Sequence, residues 1–131
     1  ARQVYGIVLN PAAHIFDYEN MRRNKLEHKI TLFRGDVSTV MPNLKLNFDR
    51  VVMPLPKTGE EFLPLALRKV KKGGMIHLYS FLEEKDIPAY ARRVRDIAHK
   101  LGHSVRLVRK VLCGQFSPGI FRVCFDLKVE K

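Results

Sequence analysis

VYGIVLNP at residues 4 to 11 and FDRVVMPLPK at residues 48 to 57 decide the fold. Each is a short apolar run that stops abruptly in Asn or Pro. A buried parallel strand delivers its last residues into a ligand crevice in this way, at the carboxyl edge of an open sheet. The pair therefore predicts a nucleotide-type α/β domain. No glycine-rich loop precedes the first run, although such a domain usually carries one.

Outward from these runs, apolar stretches alternate with amphipathic ones, the pattern of repeated β-α units and a largely parallel sheet. Residues 3 to 9 read as a strand. Asn10 as N-cap and Pro11 at the first helical position then start a helix that ends near Asn24. Residues 29 to 33 form a short strand closing on Gly35-Asp36, followed by a turn or short helix and a loop through 47, and by the buried strand 48 to 53. A helix over 59 to 71 carries Phe62, Leu63, Ala66, Leu67 and Val70 at helical spacing, and Pro64 suits only its first turn. Lys71-Lys72-Gly73-Gly74 stops that helix, and a strand runs from 75 to 81. Residues 86 to 101 form a helix closed by Gly102. The last two strands, 104 to 112 and 120 to 128, are a terminal antiparallel pair across the linker CGQFSPG.

At 131 residues, 46% hydrophobic and 28% charged, the chain is expected to form a single domain, residues 1 to 131, with a continuous core. Its start at Ala1 fits a processed or excised piece. No apolar run reaches the about 18 to 20 residues of a membrane span. Lys and Arg number 24 against 13 acids, a formal charge of +11. That field favours polyanions, nucleic acid first, with a solvated basic surface as the other reading. Basic residues close the helices, at Arg22, Arg23 and Lys25 and again at Arg68, Lys69, Lys71 and Lys72, where they also suit the helix dipole. Cys113 and Cys124 read as buried free thiols, an adjacent-strand disulfide being the alternative. HExxH, Walker, zinc-spacing and nucleophile-elbow motifs are all lacking, so neither a metal nor a hydrolase is expected.

Taken together, VYGIVLNPAA, RRNKLEHKITLFRGDV, DRVVMPLPKTGEEFL, KKGGMIHLYSF and FSPGIFRVCFDLKV cover almost the whole chain. In order and spacing they resemble the archaeal and eukaryotic tRNA (guanine-37 N1)-methyltransferases. The resemblance implies an α/β, Rossmann-like class I methyltransferase sheet, mostly parallel with a terminal antiparallel pair. It also implies S-adenosylmethionine as cofactor, tRNA as partner, a cytoplasmic location and methyl transfer to N1 of guanine 37. A non-catalytic RNA-binding or self-associating scaffold is the alternative. Sister enzymes that transfer an aminocarboxypropyl group share the first two motifs and differ at MPLPK.

By the same resemblance Val8, Asn10, Pro11, Asp36 and Val37 belong to the cofactor site, and Pro54, Leu55 and Pro56 to the catalytic segment beside the target base. Arg22, Arg23 and Lys57 are the candidates for RNA phosphate. Two residues depart from the family pattern. Val8 stands where an acid holds the ribose hydroxyls, and an isopropyl group accepts no hydrogen bond. Pro54 stands where an Asn is usual, and Pro has neither a side-chain amide nor an N–H. Asn10 and Pro11 are equally well explained as a helix start, and Asp36 as a turn residue.

The family sheet runs 3-2-1-4-5-7-6, and its first strand and glycine loop find no match among these residues. Strands 2 and 4 then flank a gap, whose open edges are costly. A missing N-terminal portion of the same protein, closure of strands 2 and 4 on each other, or exchange within a homodimer would each resolve it. Without the ribose acid and the loop, the isolated chain is expected to bind cofactor poorly. His77 and Tyr79 share one face of a strand, His77 reading as a structural rather than a catalytic group. Phe116 and Phe121 flank Ser117-Pro118-Gly119 and read as core before base-stacking groups.

Overall fold

In the computed structural model the described residues are 3–8, 11–26, 28–34, 37–53 and 63–130, without the side chains at 8, 11–14, 16, 34, 37 and 38. They belong to two compact units, Ala1–Lys45 and Leu46–Lys131.

The first unit is built on two parallel strands, β1 (Val4–Val8) and β2 (Ile30–Arg34). Parallel neighbours need a crossover, which helix α1 (Pro11–Arg23) supplies. Gly6 faces Leu32 in the ladder, and a Cβ there would come within 2.9 Å of the leucine Cδ2. Tyr5 and Phe33 stack at 6.4 Å between ring centroids. Helix α1 ends in a Schellman turn: Leu26 N–H donates to Met21 C=O and Lys25 N–H to Arg22 C=O. Lys25 takes the left-handed φ of 55° that this turn needs. A short helix α2 (Val37–Asn43) follows β2.

The second unit holds a four-stranded sheet of order β3-β4-β6-β5, formed by β3 (Phe48–Met53), β4 (Val70–Glu83), β5 (Val105–Ser117) and β6 (Ile120–Val129). β3 and β4 are parallel, and β6 lies antiparallel to both β4 and β5. Helix α3 (Leu63–Lys69) and helix α4 (Ile87–Lys100), which follows a 3-10 turn at Glu84–Asp86, bury their apolar stripes in one core. That core takes Ile76 and Leu78 from β4, Val123, Phe125, Leu127 and Val129 from β6, Leu63 and Leu67 from α3, and Tyr90, Val94 and Ala98 from α4. Strand alternation leaves His77, Tyr79, Cys124 and Asp126 on the opposite face.

Most elements fall where the sequence places them, including Pro64 in the first turn of α3 and the end of α4 at Gly102, whose φ is 84°. Four expectations are corrected. The Lys71-Lys72-Gly73-Gly74 stretch lies inside β4, as an irregularity in the ladder between Val70 and Met75. The CGQFSPG linker is mostly strand: β5 runs on to Ser117 through register shifts at Gly114 and after Gln115. On that edge strand Cys113 is exposed, not buried, and both cysteines are free thiols. Phe116 is 69% exposed rather than core, its ring 4.6 Å from that of Phe81. Among the described residues no helix is long and apolar enough to cross a membrane.

Candidate functional site

The sequence places its cofactor residues at strand ends, and the first unit supplies two such ends together. Val8 and Arg34 are register partners and the last residues of β1 and β2, so the chain leaves both strands at one carboxyl edge. Pro11 opens α1 and Val37 opens α2, on the far side of each exit. Asn10 and Asp36 fall within those two exits and lie outside the described residues, as do Pro54, Leu55, Pro56 and Lys57. The strand that leads to Pro54 ends at Met53, which is buried and paired with Leu78. Arg22 and Arg23 are exposed in the last turn of α1.

A second constellation sits on the face of the four-stranded sheet turned away from α3 and α4. His77 and Asp126 face each other across the β4-β6 ladder, and Tyr79 and Cys124 form the next pair on that face. The His77 Nδ1–H donates to Asp126 Oδ1 at 2.6 Å, while Arg50 Nη1 donates to His77 Nε2 at 2.8 Å. Arg50 has only donors, so Nε2 accepts and the Nδ1–H is the one that faces Asp126. The Cys124 thiol donates to the same Asp126 oxygen at 3.4 Å.

Burial alone would raise the Asp126 carboxyl, but its bonds from His77 and Cys124, with the charge of Arg109, outweigh it and hold the group low. Burial pushes the Cys124 thiol up to about 11; Asp126 adds to this and the bond with Tyr79 opposes it. Tyr79 is itself raised, first by that bond with Cys124, and the Arg122 guanidinium lies 4.4 Å from its ring centroid. Both ring nitrogens of His77 thus have partners. Its partners went unseen in the sequence because Asp126 lies 49 residues away. A strand-pairing register was the only signal that could have joined them.

The parallel pair β1-β2 and the order β3-β4-β6-β5 reproduce strands 3-2 and 4-5-7-6 of the Rossmann-like class I methyltransferase sheet. That is the class of protein the fold defines. A family model described as "TRM5/TYW2 methyltransferase domain" matches residues 1–108, and the chain belongs to this family.

Among its curated relatives, tRNA (guanine(37)-N(1))-methyltransferase Trm5b of Pyrococcus abyssi is 30% identical over 99% of this chain and 38% of its own length. The tRNA 4-demethylwyosine(37)-methyltransferase Taw21 of Saccharolobus solfataricus is 39% identical over 97% of this chain and 45% of its own. The crystal structure of the P. abyssi Trm5b superposes with a TM-score of 0.89, covering 100% of this chain and 38% of that one. TYW2 of M. jannaschii, solved in complex with AdoMet, gives 0.87 at 26% identity, covering 99% of this chain and 58% of that one. The chain thus spans less than half the length of both curated relatives.

Proposed function

We propose that this chain serves S-adenosylmethionine-dependent methyl transfer to the nucleoside at position 37 of tRNA, with N1 of guanine as the acceptor. The observation that carries this reading is the parallel β1-β2 pair, whose aligned ends Val8 and Arg34 directly precede the Asn10 and Asp36 segments in sequence. Membership of the TRM5/TYW2 family and the position-37 activities named for its relatives support it.

The donor set fits a nucleoside in part. An Asp36 carboxylate is an acceptor for an exocyclic amine, and the Asn10 amide both donates and accepts. Val8 offers the ribose hydroxyls nothing, so that contact is missing. Bound S-adenosylmethionine supplies a methyl group on a sulfonium. The chain's own task is to hold the acceptor in line with that group, because positioning accounts for much of the barrier in such a displacement. At Pro54, Leu55 and Pro56 only backbone carbonyls and the Leu55 N–H are available to a guanine edge. Arg22, Arg23 and Lys57 meet phosphate, and the net charge of +11 strengthens that contact through counterion release.

A second reading differs only in the acceptor. Identity to the 4-demethylwyosine methyltransferase, at 39%, exceeds the 30% to Trm5b, which favours 4-demethylwyosine at position 37.

The test grafts this chain into P. abyssi Trm5b in place of its matching segment and supplies methyl-labelled S-adenosylmethionine. Label in N1-methylguanosine of a guanine-37 transcript, lost when that base is adenine, is the expected result. Label only on tRNA carrying 4-demethylwyosine selects the second reading. A folded graft that methylates neither refutes both.

A further inference from the structure

We propose that His77, Cys124 and Asp126 form a binding site for a borderline divalent cation, Zn²⁺ fitting best, on the sheet face opposite α3 and α4. A ring nitrogen of His77, the Cys124 Sγ and an Asp126 carboxylate oxygen all lie within 4.8 Å of one another. Around a tetrahedral Zn²⁺ with bonds of about 2.0 to 2.3 Å, neighbouring donors sit roughly 3.3 to 3.8 Å apart. The Sγ to Oδ1 separation of 3.4 Å already matches, and the Nδ1 to Oδ1 separation of 2.6 Å needs to open by less than about 1 Å.

The backbone holds these donors in place before any ion arrives. His77 and Asp126 are directly paired on β4 and β6, and Cys124 precedes Asp126 by one strand period, so all three project from one face. The side chains of His77 and Asp126 are only 15% and 18% exposed, unlike a solvated acidic cluster. A thiolate, an imidazole and a carboxylate together favour Zn²⁺ over the oxygen-seeking Mg²⁺ and Ca²⁺. Two anionic donors neutralise the ion, and three donors leave a fourth position for water or a ligand.

Binding changes the proton inventory in a defined way. The Cys124 thiol gives its proton to buffer as the Sγ–metal bond forms. The proton on His77 Nδ1 is replaced by the metal and reappears on Nε2 through solvent, so one proton leaves per ion. Nε2 then becomes a donor, and Arg50, whose side chain now donates to it, must turn away toward water. Arg50 is therefore a competitor of the cation, and its removal should tighten binding.

The test uses the 131-residue chain, stripped with chelator and titrated with Co²⁺ and then Zn²⁺. The expected result is one Co²⁺ per chain with a thiolate-to-metal charge-transfer band that Zn²⁺ abolishes. The band persists in Cys113→Ser and is absent from Cys124→Ser. Arg50→Ala raises the affinity by roughly threefold to tenfold, as befits removal of one screened charge. X-ray absorption on the wild-type Zn²⁺ form shows one sulfur neighbour, with nitrogen or oxygen completing the shell, and this decides the matter even if Cys124→Ser fails to fold. A wild-type chain without a thiolate band, a band that follows Cys113, or a zinc spectrum without sulfur overturns the proposal.

Discussion

Phe125→Ala tests whether the second unit is held by the core described above. Phe125 lies on β6, whose two neighbours are both paired strands, and the residue is 1% exposed. Its ring sits 5.1 Å from that of Tyr90 on α4, tilted by 39°, so it ties the centre of the sheet to the helix that covers it. Truncating a buried Phe to Ala costs about 3 to 5 kcal/mol, from lost burial and the cavity left behind. A domain the size of Leu46–Lys131 loses about 4 to 8 °C of Tm per kcal/mol, so a fall of roughly 12 to 40 °C is expected. Since such domains are stable by only about 5 to 15 kcal/mol, the variant retains at best a modest margin. Urea unfolding followed by far-UV circular dichroism supplies the free energy, with an unchanged slope marking a change in stability alone. A loss below about 1 kcal/mol would refute the packing of Phe125 between β6 and α4.

Three further outcomes follow from local geometry. A thiol reagent at pH 8 modifies the exposed Cys113 in the native chain, while Cys124, buried and with its thiol pushed up to about 11, reacts only after denaturation; two equally fast phases would contradict this. Gly74→Ala places a Cβ 2.7 Å from the Asp49 carbonyl oxygen and from Val70 Cγ2, and costs roughly 1 to 3 kcal/mol in urea unfolding; a neutral result would mean that β3 and the β4 irregularity are not in contact. Gly102→Ala meets no neighbour but forces a φ of 84° on an L-residue, for a loss of about 1 to 2 kcal/mol by the same measurement; an unchanged midpoint would argue against the left-handed close of α4.

Elements with a local cause were legible in the sequence. Alternation in β6 and helical spacing in α4 report burial directly, and Gly102 marks its stop. Errors fell where glycine and proline have more than one use. Gly73, Gly74 and Gly114 read as breaks, yet a strand absorbs them as irregularities because glycine takes the φ of 84° at Gly73 and 142° at Gly114. Cys113 and Phe116 looked like core because apolar type predicts burial, and only the edge position of β5 exposes them. Of the cofactor segment, the two strands were readable to within one residue of their ends at Val8 and Arg34. The His77-Asp126-Cys124 cluster was not, since it exists only through the register of β4 against β6.

The most direct test of the account is the affinity for S-adenosylmethionine, measured by calorimetry on the wild-type chain and on Val8→Asp. If the carboxyl edge of β1 and β2 holds the nucleoside, the wild type binds weakly for want of a ribose acceptor. A carboxylate at position 8 then tightens binding by roughly tenfold to a hundredfold, the worth of one charged hydrogen-bonding group. Tight binding by the wild type, or equal affinities in the two proteins, would contradict the placement of the cofactor at that edge.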